Sequence, residues 1–438
     1  MSAKNPACTT QNHRVPASVA VLSEARARAA SSCAVEGLQH PDSPNAKSFP
    51  ALYNVLVRIL ISAGEASGEM YGAQLIESLR RRDRSLEFFG VGGERMRALG
   101  CDTIVDSKDL AVVGITEIVS HLPKIYGLFH ELIAAADQGR PDLAVVIDSP
   151  AFNWRVARQM HHRGIPVVYY VCPQFWAWRQ RRVKLLRKYI DKALVIFPFE
   201  EQFYCDRGVD ATFVGHPLAD LPHPTAERDE YAAQRRLDRS KPWITLMPGS
   251  RVEEVRMNLP TILESAALLG PAYEFLLPVA PTLSRSFLEQ LIGAQRVTLV
   301  PEALPALWHS RAGIVASGTA TVEAAMMSTP FVMVYRVSPL TYLLGRWRVK
   351  VPHFAMVNLI AGEKVVPELV QSEFTAENVV SRISQIISDG SARDKMLEGL
   401  ARVKARLHAP NRVTGAQASA ERAAGIILEL LHPARTSV

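Results

Sequence analysis

Residues 312–326 read Ala-Gly-Ile-Val-Ala-Ser-Gly-Thr-Ala-Thr-Val-Glu-Ala-Ala-Met, and their pattern decides the fold. Ile314-Val315-Ala316 is a short apolar run suited to a buried strand. Ser317-Gly318-Thr319 is a tight turn, and Thr321–Met326 opens a helix. A strand, turn and helix in that order aim free backbone N–H groups and the positive end of the helix dipole at one point, which suits a diphosphate. Glu323 falls within the first turn or so of the helix, where a carboxylate can accept hydrogen bonds from ribose hydroxyls. The same residues also fit an ordinary capped helix, with Ser or Thr as the N-cap and Glu near its start. The stretch alone leaves both readings open.

The neighbouring sequence repeats the rhythm. Trp243–Met247 is a strand, followed by the turn Met247-Pro248-Gly249-Ser250-Arg251. Gly249 and Ser250 let backbone approach a ligand, and Arg251 offers a bidentate fork to phosphate. Both turns sit at the carboxyl end of a strand, so they can converge on one diphosphate. Further strands are expected at Tyr273–Val279, Val297–Val300 and Phe331–Tyr335. An earlier set is expected at Val55–Ile61, Phe88–Val91, Leu143–Ile147, Pro166–Val171, Ala193–Phe197 and Thr212–Val214, with a helix over Ala73–Arg82. Alternating strands and helices predict parallel sheets covered on both faces. The polar, Pro-punctuated segment Asp220–Lys241 reads as a linker plus a helix. The expectation is an α/β protein of two Rossmann-like lobes facing across a cleft. Its parts are an extension (1–50), a first lobe (51–222), a second lobe (223–405) and a helical tail (406–438).

Length and composition agree with two domains: the chain has 438 residues, 48% of them hydrophobic. A net charge of +7 suggests an anionic partner, whether nucleotide, nucleic acid or acidic lipid. No apolar run reaches the roughly eighteen residues of a membrane span. Cys8, Cys33, Cys101, Cys172 and Cys205 form no CxxC pair, so a reduced, cytoplasmic protein is the economical reading. Residues 1–50 lack the continuous apolar core of a secretory signal and are expected to be a disordered extension, a transit-like peptide being the lesser alternative.

Asp148 follows the apolar run Leu143–Ile147, on the sheet edge where ligands of open α/β folds gather. There it can serve as a general base or cap the next helix. His121 and His130 are other possible bases, although a lone His in an amphipathic stretch is commonly structural. Cys172–Arg179 leads into the basic run Arg179, Arg181, Arg182, Lys184, Arg187 and Lys188. Aromatic residues beside cations suit an anionic membrane surface or nucleic acid, and equally a solvated helix face. Leu110–Leu132 follows helical spacing and reads as core, with a lipid-facing helix as the alternative. Asp-x-Asp is absent and no His/Asp/Glu cluster has metal spacing, so neither a metal nor another cofactor is expected. Protein cations and helix dipoles would then stabilise a leaving group.

Several blocks, in order, resemble one family. They are Ala63-Gly64-Glu65-Ala66-Ser67-Gly68, Val113-Gly114-Ile115-Thr116-Glu117, Ile147-Asp148-Ser149-Pro150 and Trp176-Ala177-Trp178-Arg179. They continue with Phe213-Val214-Gly215-His216-Pro217, Pro248-Gly249-Ser250-Arg251, Ser317-Gly318-Thr319-Ala320 and Val357-Asn358-Leu359-Ile360-Ala361-Gly362. From about residue 54 to about 425 the chain resembles the lipid-A-disaccharide synthases, bacterial glycosyltransferases of the two-lobe GT-B architecture. Glu69 stands where that family usually has Asp, and Ala151 where many members have a second carboxylate.

The resemblance implies an inverting transferase. Its donor would be UDP-2,3-diacylglucosamine, its acceptor 2,3-diacylglucosamine 1-phosphate (lipid X), and its products a β-1,6-linked disaccharide and UDP. Asp148 is then the candidate base, with Glu65 beside it. Arg251, Gly249, Ser250, Ser317, Gly318, Thr319, Glu323 and Asn358 are candidates for donor binding. The expected location is the cytoplasmic face of the inner membrane, against an anionic surface; a homodimer is compatible with this, and no nucleic acid is involved. The alternatives are another UDP-sugar enzyme of the same fold, such as a peptidoglycan glycosyltransferase or an epimerase, and a non-catalytic lipid- or nucleic-acid-binding module.

Overall fold

The computed structural model describes residues 56–110, 115–220, 223–338, 351–409 and 418–431, with side chains described from 123 onward in the helix Ile115–Gly139. The first sheet contains β1 (Arg58–Ala63), β2 (Glu87–Gly92), β3 (Cys101–Asp106), β4 (Leu143–Ile147), β5 (Val167–Tyr170), β6 (Lys192–Val195) and β7 (Ala211–Phe213). The second contains β8 (Trp243–Met247), β9 (Glu274–Pro278), β10 (Thr298–Val300), β11 (Ala312–Ala316), β12 (Phe331–Tyr335) and β13 (Glu368–Val370). Every pairing is parallel. The orders are β3-β2-β1-β4-β5-β6-β7 and β10-β9-β8-β11-β12-β13. The two-lobe α/β expectation is met.

Parallel sheets are buried on both faces, so their central strands are unbroken apolar runs. All five residues of β4 and of β11 are buried. In both sheets the order reverses beside the first strand, between β1 and β4 and between β8 and β11. At such a switch point the flanking connections leave for opposite faces, and a crevice opens at the strands' carboxyl ends. Those crevices hold the candidate site.

Two strands escape the apolar pattern. β3 and β13 are both edge strands with partly exposed residues, and β13 is only three residues long. An edge strand needs less apolar sequence because one side is left uncovered by a neighbour. The chain's end also differs from a separate tail. The helix Ala418–Leu431 returns to the first lobe and packs on the helix Ala66–Arg82, burying Ala423, Ala424 and Ile427. Glu421 bridges Arg81 at 2.7 Å and Arg82 at 3.1 Å. Arg422 Nε donates to the Val214 carbonyl at 2.6 Å. Partly exposed ion pairs contribute only about 0.2–1 kcal/mol each, so the apolar seam does most of the holding.

In the helix Ile115–Gly139, the described part turns Ile125, Leu128, Phe129, Leu132, Ile133 and Ala136 onto the first sheet. The core reading holds for that part. Residues 1–50 and Val113-Gly114 lie outside the described residues.

Candidate active site

On the first lobe, the chain leaves β4 through two consecutive residues with left-handed backbone, Asp148 (φ 48°) and Ser149 (φ 46°). Neither is glycine; such a conformation costs on the order of 1–3 kcal/mol per residue and persists only where its surroundings enforce it. Asn153, wholly buried on the next helix, does so. Its Nδ2 donates to the carbonyls of Ile147 (2.8 Å), Asp148 (2.9 Å) and Ser62 (3.1 Å), and its Oδ1 accepts from the Ser62 hydroxyl at 2.6 Å. The Tyr169 hydroxyl donates to the Asp148 carbonyl at 2.8 Å. Sequence reading missed Asn153, whose position three residues after Pro150 on a helix made it look like an ordinary core polar group.

The Asp148 carboxyl is pushed up to about 6. Burial is the main cause and the Glu65 charge adds to it, while the Ser149 backbone N–H and the Arg251 charge pull the other way. Glu65 belongs to the first lobe and Arg251 to the second, so Asp148 feels groups from both sides. Burial raises the Tyr71 phenol as well, and the charges of Tyr170, Asp148 and Glu323 push it further. Tyr71 therefore senses charge from both lobes, and its ring lies 6.5 Å from that of Tyr170.

On the second lobe, Gly318 has φ +133°, a conformation L side chains rarely adopt, and a Cβ there would project into open space. The helix Thr319–Met326 begins at Gly318 without a side-chain cap. No hydrogen bond to the amides of Gly318, Thr319 or Ala320 is present among the described residues. A helix start with free amides and a positive dipole end is an anion cradle. The Ser317 hydroxyl donates to the Phe354 carbonyl at 2.8 Å, which ties the turn to the segment 351–355. Glu323 is part-buried, its pKa raised by burial, and its carboxylate has no hydrogen-bond partner among the described residues.

The Gly249-Ser250-Arg251 turn is not empty-handed. Glu254 reaches back so that its Oε2 accepts from Ser250 N–H at 3.2 Å and its Oε1 meets Arg251 Nη1 at 3.1 Å. Gly249 (φ +126°) admits this approach: a Cβ there would lie 2.7 Å from Glu254 Oε2. A carboxylate thus occupies the groups expected to meet a phosphate. This followed from neither turn nor motif, because Glu254 looks like first-turn helix chemistry in the sequence.

Asn358 needs correcting. It is wholly buried, and its amide is saturated: Nδ2 donates to the Val366 carbonyl and Glu368 Oε1, and Oδ1 accepts from Val365 and Val366 N–H. It shapes the loop behind the cleft instead of facing a ligand. Glu69 also turns aside, accepting Arg95 N–H at 2.9 Å at the start of the helix Glu94–Ala98. The longer acid at this position therefore serves as a helix cap. His130 is exposed and lies edge-on to Tyr126, 4.3 Å between ring centroids, and the His121 side chain lies outside the described residues.

Between the lobes is a cavity of about 210 Å³. Gln174, Trp176 and His216 line it from the first lobe, and Ser317, Gly318 and Thr319 from the second. Trp176 is held there by Glu200, whose Oε1 accepts the indole N–H at 2.9 Å. Burial raises the Glu200 carboxyl to about 7, although the N–H groups of Phe197, Trp176 and Ile196 favour its ionised form.

Two Rossmann-type sheets, each with a switch point, and a cavity between them place the protein in the GT-B fold class. The fold is shared with UDP-GlcNAc 2-epimerase from Neisseria meningitidis bound to UDP-GlcNAc (TM-score 0.59, 13% identity, 86% of this chain and 100% of that one). It is shared too with MurG from Acinetobacter baumannii (TM-score 0.51, 14% identity, 85% and 99%). At such identities the likeness speaks for fold alone. Sequence is more specific: the family model for lipid-A-disaccharide synthetase matches residues 59–421. The lipid-A-disaccharide synthase of Koribacter versatilis is 54% identical over 380 residues, covering 86% of this chain and 99% of the relative. The chain belongs to the lipid-A-disaccharide synthase family and is an enzyme of the glycosyltransferase class.

Proposed function

We propose that the chain transfers 2,3-diacylglucosamine from UDP-2,3-diacylglucosamine to the 6-hydroxyl of lipid X, releasing UDP and a β-1,6-linked disaccharide 1-phosphate. Asp148 accepts the proton of the 6-hydroxyl. The freed oxygen attacks the anomeric carbon from the face opposite the diphosphate, and the C1–O bond to the β-phosphate breaks. One displacement inverts the anomeric centre. The electron pair left on the phosphate oxygen is stabilised by Arg251, by the amides of the Ser317–Thr319 turn and by the helix dipole behind them. Glu323 holds the ribose. The observation that carries this reading is the cavity between the lobes, lined by Gln174, Trp176 and His216 from the first and by the Ser317–Thr319 turn from the second. That facing arrangement suits a base and a leaving-group clamp on either side of a sugar.

The test is transfer in vitro from the acylated donor to lipid X, with and without a chelator. Product formation that persists in chelator is expected, since the clamp is made of protein cations and amides. Turnover of UDP-N-acetylglucosamine in place of the acylated donor would instead favour a peptidoglycan-type transferase or an epimerase.

The acylated substrates call for a lipid surface, and the protein has a suitable face. Trp178 is 47% exposed with the Arg179 guanidinium 4.0 Å above its ring. Beyond it, Arg181, Arg182, Lys184, Arg187 and Lys188 are all exposed, while Val183, Leu186 and Tyr189 anchor the helix beneath. No described helix is long and apolar enough to cross a membrane. Juxtamembrane cations contribute about 1 kcal/mol each near an anionic surface. Co-sedimentation with vesicles containing phosphatidylglycerol is expected and should weaken as salt rises. Equal sedimentation with neutral vesicles would remove this face from the account.

A further inference from the structure

His216 is a buried side chain that the mechanism above leaves unused. It follows β7, where the chain crosses toward the second lobe, and is only 2% exposed. Its position is fixed on three sides. The His216 N–H donates to the Leu407 carbonyl at 2.9 Å, the ring packs on Phe197 with centroids 5.1 Å apart, and Nδ1 accepts Leu218 N–H at 3.1 Å. An Nδ1 used as an acceptor leaves the ring proton on Nε2. Burial drives the imidazole down to about 3, so the ring is neutral in any physiological buffer. Nε2 has no hydrogen bond to a described residue, yet the ring lines the interlobe cavity that Ser317, Gly318 and Thr319 close from the other side. The Nε2–H is thus a donor that no described protein group uses, and it is available to an acceptor that enters the cavity.

We propose that His216 is a further catalytic residue: its Nε2–H donates a hydrogen bond to the sugar-linked phosphate oxygen of the donor, opposite the Ser317–Thr319 amides. This rests on the reading that the donor diphosphate meets that turn. As the acceptor oxygen bonds to C1 and the C1–O bond to phosphate breaks, the departing oxygen keeps the electron pair and its negative charge grows. The His216 hydrogen bond strengthens with that charge. The acceptor's proton goes to Asp148; none leaves His216, since a neutral imidazole is too weak an acid to give one up. A preorganised, neutral donor in the cleft is the kind of group that favours a transition state over the ground state.

Two amide variants of the full-length protein separate this role from a structural one. His216→Asn keeps an acceptor near the Nδ1 position for Leu218 N–H and loses the Nε2 donor. His216→Gln keeps a donor near the Nε2 position and gives up the Leu218 contact. With UDP-2,3-diacylglucosamine and lipid X, His216→Asn is expected to lower kcat about 10²- to 10³-fold while thermal stability stays near wild type. His216→Gln should melt at lower temperature yet turn over at least about tenfold faster than His216→Asn. Wild-type kcat in His216→Asn, or equal kcat in the two variants, would overturn the proposal. If the wild-type protein turns over a different UDP-sugar, the substrate reading fails, and the same comparison made with that sugar still decides His216.

Discussion

Replacing Asp148 by Ala is expected to lower kcat about 10²- to 10⁴-fold, the usual contribution of a general base, with little change in UDP affinity. The expectation rests on what the fold does to hold this one side chain. Two left-handed residues, the saturated Asn153 amide and the Tyr169 hydroxyl all fix the backbone that presents it. Turnover within a few-fold of wild type in the transfer assay would remove Asp148 as the base.

The pH dependence gives a second handle on the same group. With its carboxyl pushed up to about 6, Asp148 is protonated below that value and cannot accept the acceptor's proton. The kcat/KM profile should therefore fall on the acid side near pH 6. Burial is the larger cause of the shift and Glu65 the second, so Glu65→Gln should move this limb to lower pH without abolishing it. The stability sign runs the other way. A carboxyl raised above its ordinary 3.8 stabilises the fold fully only below that value, and the contribution is lost as pH rises through about 6. Asp148→Asn should thus melt no lower than wild type at neutral pH, even though it is inactive. A marked loss of stability in that variant would point to a structural carboxylate.

The sheets were readable because parallel strands buried on both faces must be apolar throughout: β4, β8 and β12 coincide with the runs Leu143–Ile147, Trp243–Met247 and Phe331–Tyr335. β3 and β13 were not, since edge position relaxes that demand. The candidate site divides in the same way. Asp148, Gly318 and Glu323 were legible from their place after a strand or at a helix start, where local geometry is set by neighbours in sequence. Asn358, saturated by Val365, Val366 and Glu368, and His216, aimed into an interlobe cavity, depend on contacts that no local pattern encodes. The return of the helix Ala418–Leu431 to the first lobe is likewise a long-range event, written only in the small residues Ala423 and Ala424 that let it lie close.

Arg251→Ala should weaken UDP binding by roughly 10- to 150-fold, the equivalent of one charge-assisted hydrogen bond of about 1.5–3 kcal/mol. The Arg251 side chain is 74% exposed and, among the described residues, paired with Glu254 alone, whose other oxygen holds Ser250 N–H. Glu254 thus occupies both donors that a diphosphate needs. A bound diphosphate brings more negative charge than one carboxylate and should displace it, so part of the binding free energy goes into breaking the Glu254 contacts. Exposed pairs of this kind are worth about 0.2–1 kcal/mol. Glu254→Gln is accordingly expected to tighten UDP binding by up to about fivefold, the opposite direction from Arg251→Ala, and in the double variant the gain should shrink because only the Ser250 N–H is then released. Titration calorimetry with UDP on the four proteins closes the cycle. Unchanged affinity in Arg251→Ala would take the guanidinium out of the site, and weaker binding in Glu254→Gln would make Glu254 a brace that aims Arg251, not a rival for it.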